Sequence, residues 1–158
     1  MTSLTNSTSV LFFGRKGDLY SKKCIQHLLD LNFDVIVVWS STRNEKLPSA
    51  TLSKNVDYIL CFRSYFILSK QLLESVKFQC INFHPGPPQY PGSGGINFAL
   101  YNDDKFFGVT VHLMEEKVDS GKILVSKHFP VSENDNLKTL LNRTHEELFN
   151  IFKEFTTN

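Results

Sequence analysis

Apolar residues between Val10 and Val131 fall into short runs separated by Gly, Pro, Asn and Ser clusters, and the period of the runs changes along the chain. Val10–Phe13 is a continuous apolar run stopped by Gly14-Arg15-Lys16-Gly17, and Val35–Trp39 is rich in β-branched residues. The first reads as a short strand and the second suits a strand buried on both faces. Between them Leu19, Ile25, Leu28 and Leu29 recur at helical spacing behind Asp18, a natural N-cap, which predicts a helix over Leu19–Leu31. Strand, helix and strand in that order make a parallel pair with a right-handed crossover.

The same reading continues down the chain. It predicts a strand at Asp57–Phe62, a helix at Ser69–Val76, and a strand through Cys80, Ile81 and Phe83 that breaks at Pro85. Pro85–Gly94 is almost all Gly, Pro, Ser, Gln and Tyr and forms no regular element. A short helix follows at Ile96–Tyr101. Phe107–Leu113 alternates as a strand, and Ile123–Val131 returns beside it as a hairpin around the Glu115–Gly121 loop. Asp135 or Asn136 can cap a last helix, Leu137–Phe155, with Leu140, Leu141, Leu148, Ile151, Phe152 and Phe155 as its buried stripe. The implied fold class is α/β: an open, mainly parallel sheet with helices on both faces and a C-terminal hairpin plus helix, in one domain over residues 1–158. The Ser/Thr/Asn-rich residues 1–8 are expected to fray.

Composition narrows this picture. A 158-residue chain with 41% hydrophobic residues can bury a core. Lys and Arg total 17 against 16 Asp and Glu, and this balance argues against a general nucleic-acid surface. The 14 Phe residues sit mainly on periodic segments and are expected in the core rather than as a stacking platform. Three scattered cysteines and no long apolar run imply a cytoplasmic, reducing setting and no membrane span. No histidines pair at metal-ligand spacing, so no metal is expected.

The candidate chemistry sits where the fourth strand ends. Asn82 and His84 fall at the carboxyl edge of the sheet, where open α/β sheets bind ligands. A second Gly-bounded turn delivers Asp119 from further along the chain. Asn, His and Asp supply a carbonyl-polarising donor, a titratable acid or base and an orienting carboxylate. Gly14-Arg15-Lys16-Gly17 opens a helix and could receive a phosphate through Arg15 or Lys16, and Ser93-Gly94-Gly95 is a comparable second candidate. Solvated turns are the plain alternative for both. His112 is expected on a sheet surface or pocket wall, and His27, His128 and His145 as solvated or helix-face residues.

Asn82-Phe83-His84-Pro85, the Gly-rich loop, Gly108-Val109-Thr110 and Val118-Asp119-Ser120-Gly121 together resemble the signature of the folate-dependent formyltransferases, over roughly residues 58–131. That family includes enzymes acting on methionyl-tRNA, on glycinamide ribonucleotide and on amino sugars of nucleotide sugars. The resemblance implies a Rossmann-like sheet and N10-formyl-tetrahydrofolate as co-substrate. It also implies Asn82, His84 and Asp119 as catalytic residues. Phe62, Arg63, Tyr65 and Ile67 would line the pteridine slot, with Glu115, Glu116, Lys117 and Val118 as its second wall.

A departure from the family lies at Ser40–Asn55, a largely polar stretch of sixteen residues that holds at most a short helix or loop. The sheet is expected to be narrow there, with one pocket wall missing or supplied by a second subunit in a homo-oligomer. A small amine acceptor, an amino sugar on a nucleotide, is the best match. Near-neutral charge and the expected absence of an extra C-terminal domain weigh against tRNA, and the loop after the first strand lacks the Gly-x-Gly-Ser-Asn pattern of the glycinamide ribonucleotide branch. Hydrolysis of the formyl donor and a non-catalytic folate-binding module are the other classes.

Overall fold

In the computed structural model, which describes residues 7–53 and 55–157, six strands form one sheet. In chain order the elements are β1 (Ser9–Arg15), α1 (Leu19–Asp30), β2 (Asp34–Ser40), a 3-10 turn (Ser49–Ser53), β3 (Tyr58–Phe62), α2 (Lys70–Glu74), β4 (Gln79–His84), α3 (Gly95–Tyr101), β5 (Phe106–Leu113), β6 (Ile123–Pro130) and α4 (Leu137–Thr157). Strand order is β2-β1-β3-β4-β5-β6. The first four are parallel and the last two antiparallel, so the expected α/β sheet with its terminal hairpin and helix is present. The expected fraying of residues 1–8 falls mostly outside the described residues.

Alternation along the strands divides the core in two. Val10, Phe12, Leu60, Phe62, Ile81 and Phe83 face α1 and α4. Leu11, Phe13, Ile59, Cys61 and Cys80 face α2 and the segment after β2. The first layer is built on aromatic contacts: the Phe152 ring of α4 lies 4.7 Å from Phe83, 5.7 Å from Phe62 and 6.2 Å from Phe12. Each such side chain, removed from water, contributes about 1.5–3 kcal/mol.

Helix α1 begins where Asp18 accepts from the Ser21 amide at 2.8 Å. It ends at Asn32, whose left-handed φ of 63° turns the chain back. The buried stripe of α1 is Ser21, Cys24 and Leu28, whereas Leu19 and Leu29 are exposed. On α4 the stripe runs through Leu140, Thr144, Leu148, Ile151 and Phe152, whereas Leu141 turns to solvent. His145, expected on a solvated face, is buried against Tyr20. The described residues between β2 and β3 hold only the short 3-10 turn, and Arg43 and Asn44 from this segment contribute to the lining of the cavity described next.

Candidate active site

Odd and even positions of β4 point to opposite faces. Ile81 and Phe83 enter the α4 layer, which sends Cys80, Asn82 and His84 to the other side. Antiparallel pairing then sets His112 of β5 opposite Asn82 and Thr110 opposite His84. A register irregularity of β5 against β6 falls between Val111 and His112, beside the site. Cross-strand partners share a face, so the Asn82 amide nitrogen lies 3.2 Å from His112 Nε2.

Asp119 arrives from the loop joining β5 to β6. Its φ is 55°, a left-handed conformation that Asp tolerates better than most residues. Two residues on, Gly121 passes so close to Leu113 that a Cβ there would sit 1.7 Å from the Leu113 carbonyl oxygen. Only glycine lets the loop fold back at that point. The Gly92 amide donates to Asp119 Oδ2 at 2.7 Å. Asp119 Oδ1 lies 3.2 Å from His112 Nε2 and accepts from Asn82 Nδ2 at 3.4 Å, while Oδ2 is 3.7 Å from His84 Nδ1.

Four polar side chains therefore converge. Burial disfavours ionised Asp119, but the hydrogen bond from His112, the nearby His84 and the Gly92 amide outweigh it and hold the pKa below the ordinary carboxylate value. Burial likewise opposes a charged His112 ring. Its bonds to the Asp119 carboxylate and to the Leu113 carbonyl (2.9 Å) prevail, and its pKa lies above 6.5. His112 does line the cavity, as its alternation allowed, but its bond to Asp119 was not read from the sequence. The usable signal was its alternation with Val111 on a strand antiparallel to the one bearing Asn82.

The cluster opens into a cavity of about 470 Å3, within the range of small-ligand sites. Asn82, His84 and Asp119 all line it, as do Arg63, Tyr65, Ile67, Glu115, Glu116 and Val118 from the two flanking loops. Phe62 does not: the parity of β3 turns its ring into the α4 layer, where it is fully buried, and Cys61 and Phe66 occupy the cavity wall instead. Lys117 is exposed and also absent from the lining.

Of the two loops considered for an acceptor, Arg15 and Ser93 reach the cavity, whereas Lys16, Gly94 and Gly95 do not. Gly95 packs instead against Tyr90, and its seven-residue helix carries no side-chain cap. Arg15 spreads its guanidinium 4.0 Å above the Tyr65 ring and donates from Nε to the Arg63 carbonyl at 2.9 Å. Arg63 in turn pairs with Asp18. Among the described residues no group of three or more His, Cys, Asp or Glu is placed to hold a metal, and no helix is long and apolar enough to cross a membrane.

Comparison with known proteins agrees with this arrangement. The family described as formyl transferase matches residues 15–156. Methionyl-tRNA formyltransferase of Ehrlichia canis (strain Jake) is 30% identical over 128 residues, which cover 80% of this chain and 42% of that protein. The chain thus spans under half the length of that curated relative. Two solved structures share the fold. The formyltransferase PseJ from Anoxybacillus kamchatkensis, in complex with UDP-4,6-dideoxy-4-formamido-L-AltNAc and tetrahydrofolate, has a TM-score of 0.78 at 22% identity, covering 94% of this chain and 75% of that one. Phosphoribosylglycinamide formyltransferase from Streptococcus pneumoniae TIGR4 has a TM-score of 0.70 at 17% identity, covering 94% and 96%. This chain belongs to the formyl transferase family.

Proposed function

We propose that the chain transfers a formyl group from N10-formyl-tetrahydrofolate to a primary amine of a small acceptor, with an amino sugar carried on a nucleotide as the best match. The observation that carries the reading is the convergence of Asn82, His84 and Asp119 on one cavity wall. Amine attack on a formyl carbon puts negative charge on the formyl oxygen. The Asn82 amide and, in its imidazolium form, the His84 ring through Nδ1 are donors suited to that oxygen, and one such donor is worth about 3 kcal/mol. Asp119 holds the ring and is the nearest carboxylate to receive a proton from the attacking amine.

The rim fits a flat ring system. Ile67 and Val118, from the two loops that would flank a pteridine, are 70% and 56% exposed, apolar surface that such a ring would cover. Arg15 and Arg43 add positive charge to the cavity lining, suited to an acceptor bearing phosphate. The nucleotide sugar bound by the Anoxybacillus protein supports the sugar acceptor. The methionyl-tRNA formyltransferase relative supports tRNA as the second reading. Three free, buried thiols suit a reducing cytosol.

The test is tetrahydrofolate release from the formyl donor, with and without a panel of nucleotide-linked amino sugars, glycinamide ribonucleotide and methionyl-tRNA. Release that depends on a nucleotide amino sugar and falls at least about 100-fold in His84→Ala is expected. Amine-independent release would make the protein a hydrolase, and folate binding without turnover would make it a binding module.

A further inference from the structure

His84 has two ring nitrogens with different surroundings. Nδ1 faces Asp119 and the cavity, whereas Nε2 lies 2.9 Å from the main-chain carbonyl of Tyr90. A carbonyl oxygen only accepts, so Nε2 carries a hydrogen whether the ring is neutral or charged. The ring can then exchange a proton only at Nδ1. Gly86 permits this contact, because a Cβ there would lie 2.8 Å from His84 Nε2 and 3.3 Å from the Tyr90 oxygen.

The carbonyl belongs to the irregular 85–94 loop, whose backbone is held at few points. Within it Tyr90 N donates to the Pro87 carbonyl at 3.0 Å, and the Gly86 carbonyl accepts from Thr110 Oγ1 at 2.7 Å. The Tyr90 side chain reaches furthest out of the loop. Its hydroxyl donates to the Asp104 carboxylate and accepts from Asn102 Nδ2 at 3.3 Å. Its ring stacks on Phe98 at 6.5 Å and lies tilted against Phe107 at 6.2 Å. Two residues further on, Gly92 donates to Asp119. One loop thus grips both His84 and Asp119 through its backbone.

We infer that Tyr90 is a positioning residue, whose anchored side chain holds the 85–94 loop so that its carbonyl fixes His84 as the Nε2–H tautomer and Gly92 holds Asp119. The kinetic part rests on the formyl-transfer reading; the tautomer part stands without it.

The first test is the tautomer of His84 in the unmodified protein, read from isotopically labelled ring nitrogens at a pH where the ring is neutral. Hydrogen on Nε2 supports the inference, and hydrogen on Nδ1 overturns it. The second test compares variants. Tyr90→Ala is expected to mix the tautomers and lower kcat about 10- to 100-fold while KM for the formyl donor stays within about threefold. Tyr90→Phe keeps the ring packing and is expected to restore the Nε2–H form and kcat to within about tenfold of the parent. A single Nε2–H form with unchanged kcat in Tyr90→Ala would refute the positioning role. If Tyr90→Ala does not fold, Tyr90→Leu, which keeps an apolar side chain but removes the stacked ring and the hydroxyl bonds, takes its place: mixed tautomers support the positioning role, and a single Nε2–H form with unchanged kcat overturns it. A chain without formyltransferase activity would leave the tautomer measurements as valid as before.

Discussion

Replacing Asp119 by Asn removes a charge while nearly preserving shape. The amide oxygen can still accept from Gly92, so the loop should hold its course, and what disappears is the carboxylate 3.7 Å from His84 Nδ1 and 3.2 Å from His112 Nε2. At an effective dielectric near 20, unit charges 3.7 Å apart interact by about 4.5 kcal/mol. Solvent at the cavity mouth reduces this to roughly half, about 2 kcal/mol. Loss of that stabilisation for a ring that becomes cationic during turnover predicts a fall in kcat of about 30-fold. A second readout needs no substrate. Because the Asp119 bond is what overcomes burial at His112, the variant should titrate His112 at lower pH than the parent does, followed through its ring proton resonances. Turnover within about threefold of the parent, together with an unmoved His112 titration, would refute the reasoning.

Other substitutions probe the frame. Gly121→Ala drives a Cβ against the Leu113 carbonyl oxygen and should cost about 2–3 kcal/mol, seen as a melting temperature lower by about 5–10 °C. An unchanged melting temperature would show that the hairpin loop is not pinned there. Phe152→Ala empties the junction of Phe12, Phe62 and Phe83 and should cost about 3–5 kcal/mol in urea unfolding. His145 has its pKa lowered from 6.5 to about 4, first by burial and then by the nearby Arg63 and Arg15 charges, with Asp18 opposing. The unfolded chain therefore binds the proton more readily. This group's contribution is full above pH 6.5 and is lost as pH falls toward 4, a loss of about 1–2 kcal/mol after screening. His145→Leu should flatten that acid limb in denaturant titrations, and an identical limb would show that His145 does not cause it.

Much of the fold is legible in the chain because apolar runs such as Val10–Phe13 mark strands, and because Asp18 and Ser69 cap helices through local bonds; Val35–Trp39 forms its strand but lies at the sheet edge and is only half-buried, not covered on both faces. What escaped depends on parity and neighbours. The family resemblance put Phe62 in the pteridine slot, but one residue of register sends its ring to the opposite face. Leu19 and Leu29 satisfied a helical stripe, yet the face of α1 that is buried runs through Ser21, Cys24 and Leu28. His112 joins the cluster only through antiparallel pairing with Asn82, a contact between positions 30 residues apart that no local pattern reveals. The chain segment near Asn82 and His84 was readable for the opposite reason. A strand that ends in polar residues before a proline-rich loop has few places to go other than the sheet's carboxyl edge.

The most direct test is a single turnover with the formyl carbon of the donor isotopically labelled, in the presence of a nucleotide-linked amino sugar. The label is expected in a new formamide on the sugar nitrogen in the parent protein, and to stay on the folate in His84→Ala. Label recovered as free formate, or transferred equally well by His84→Ala, would contradict the account.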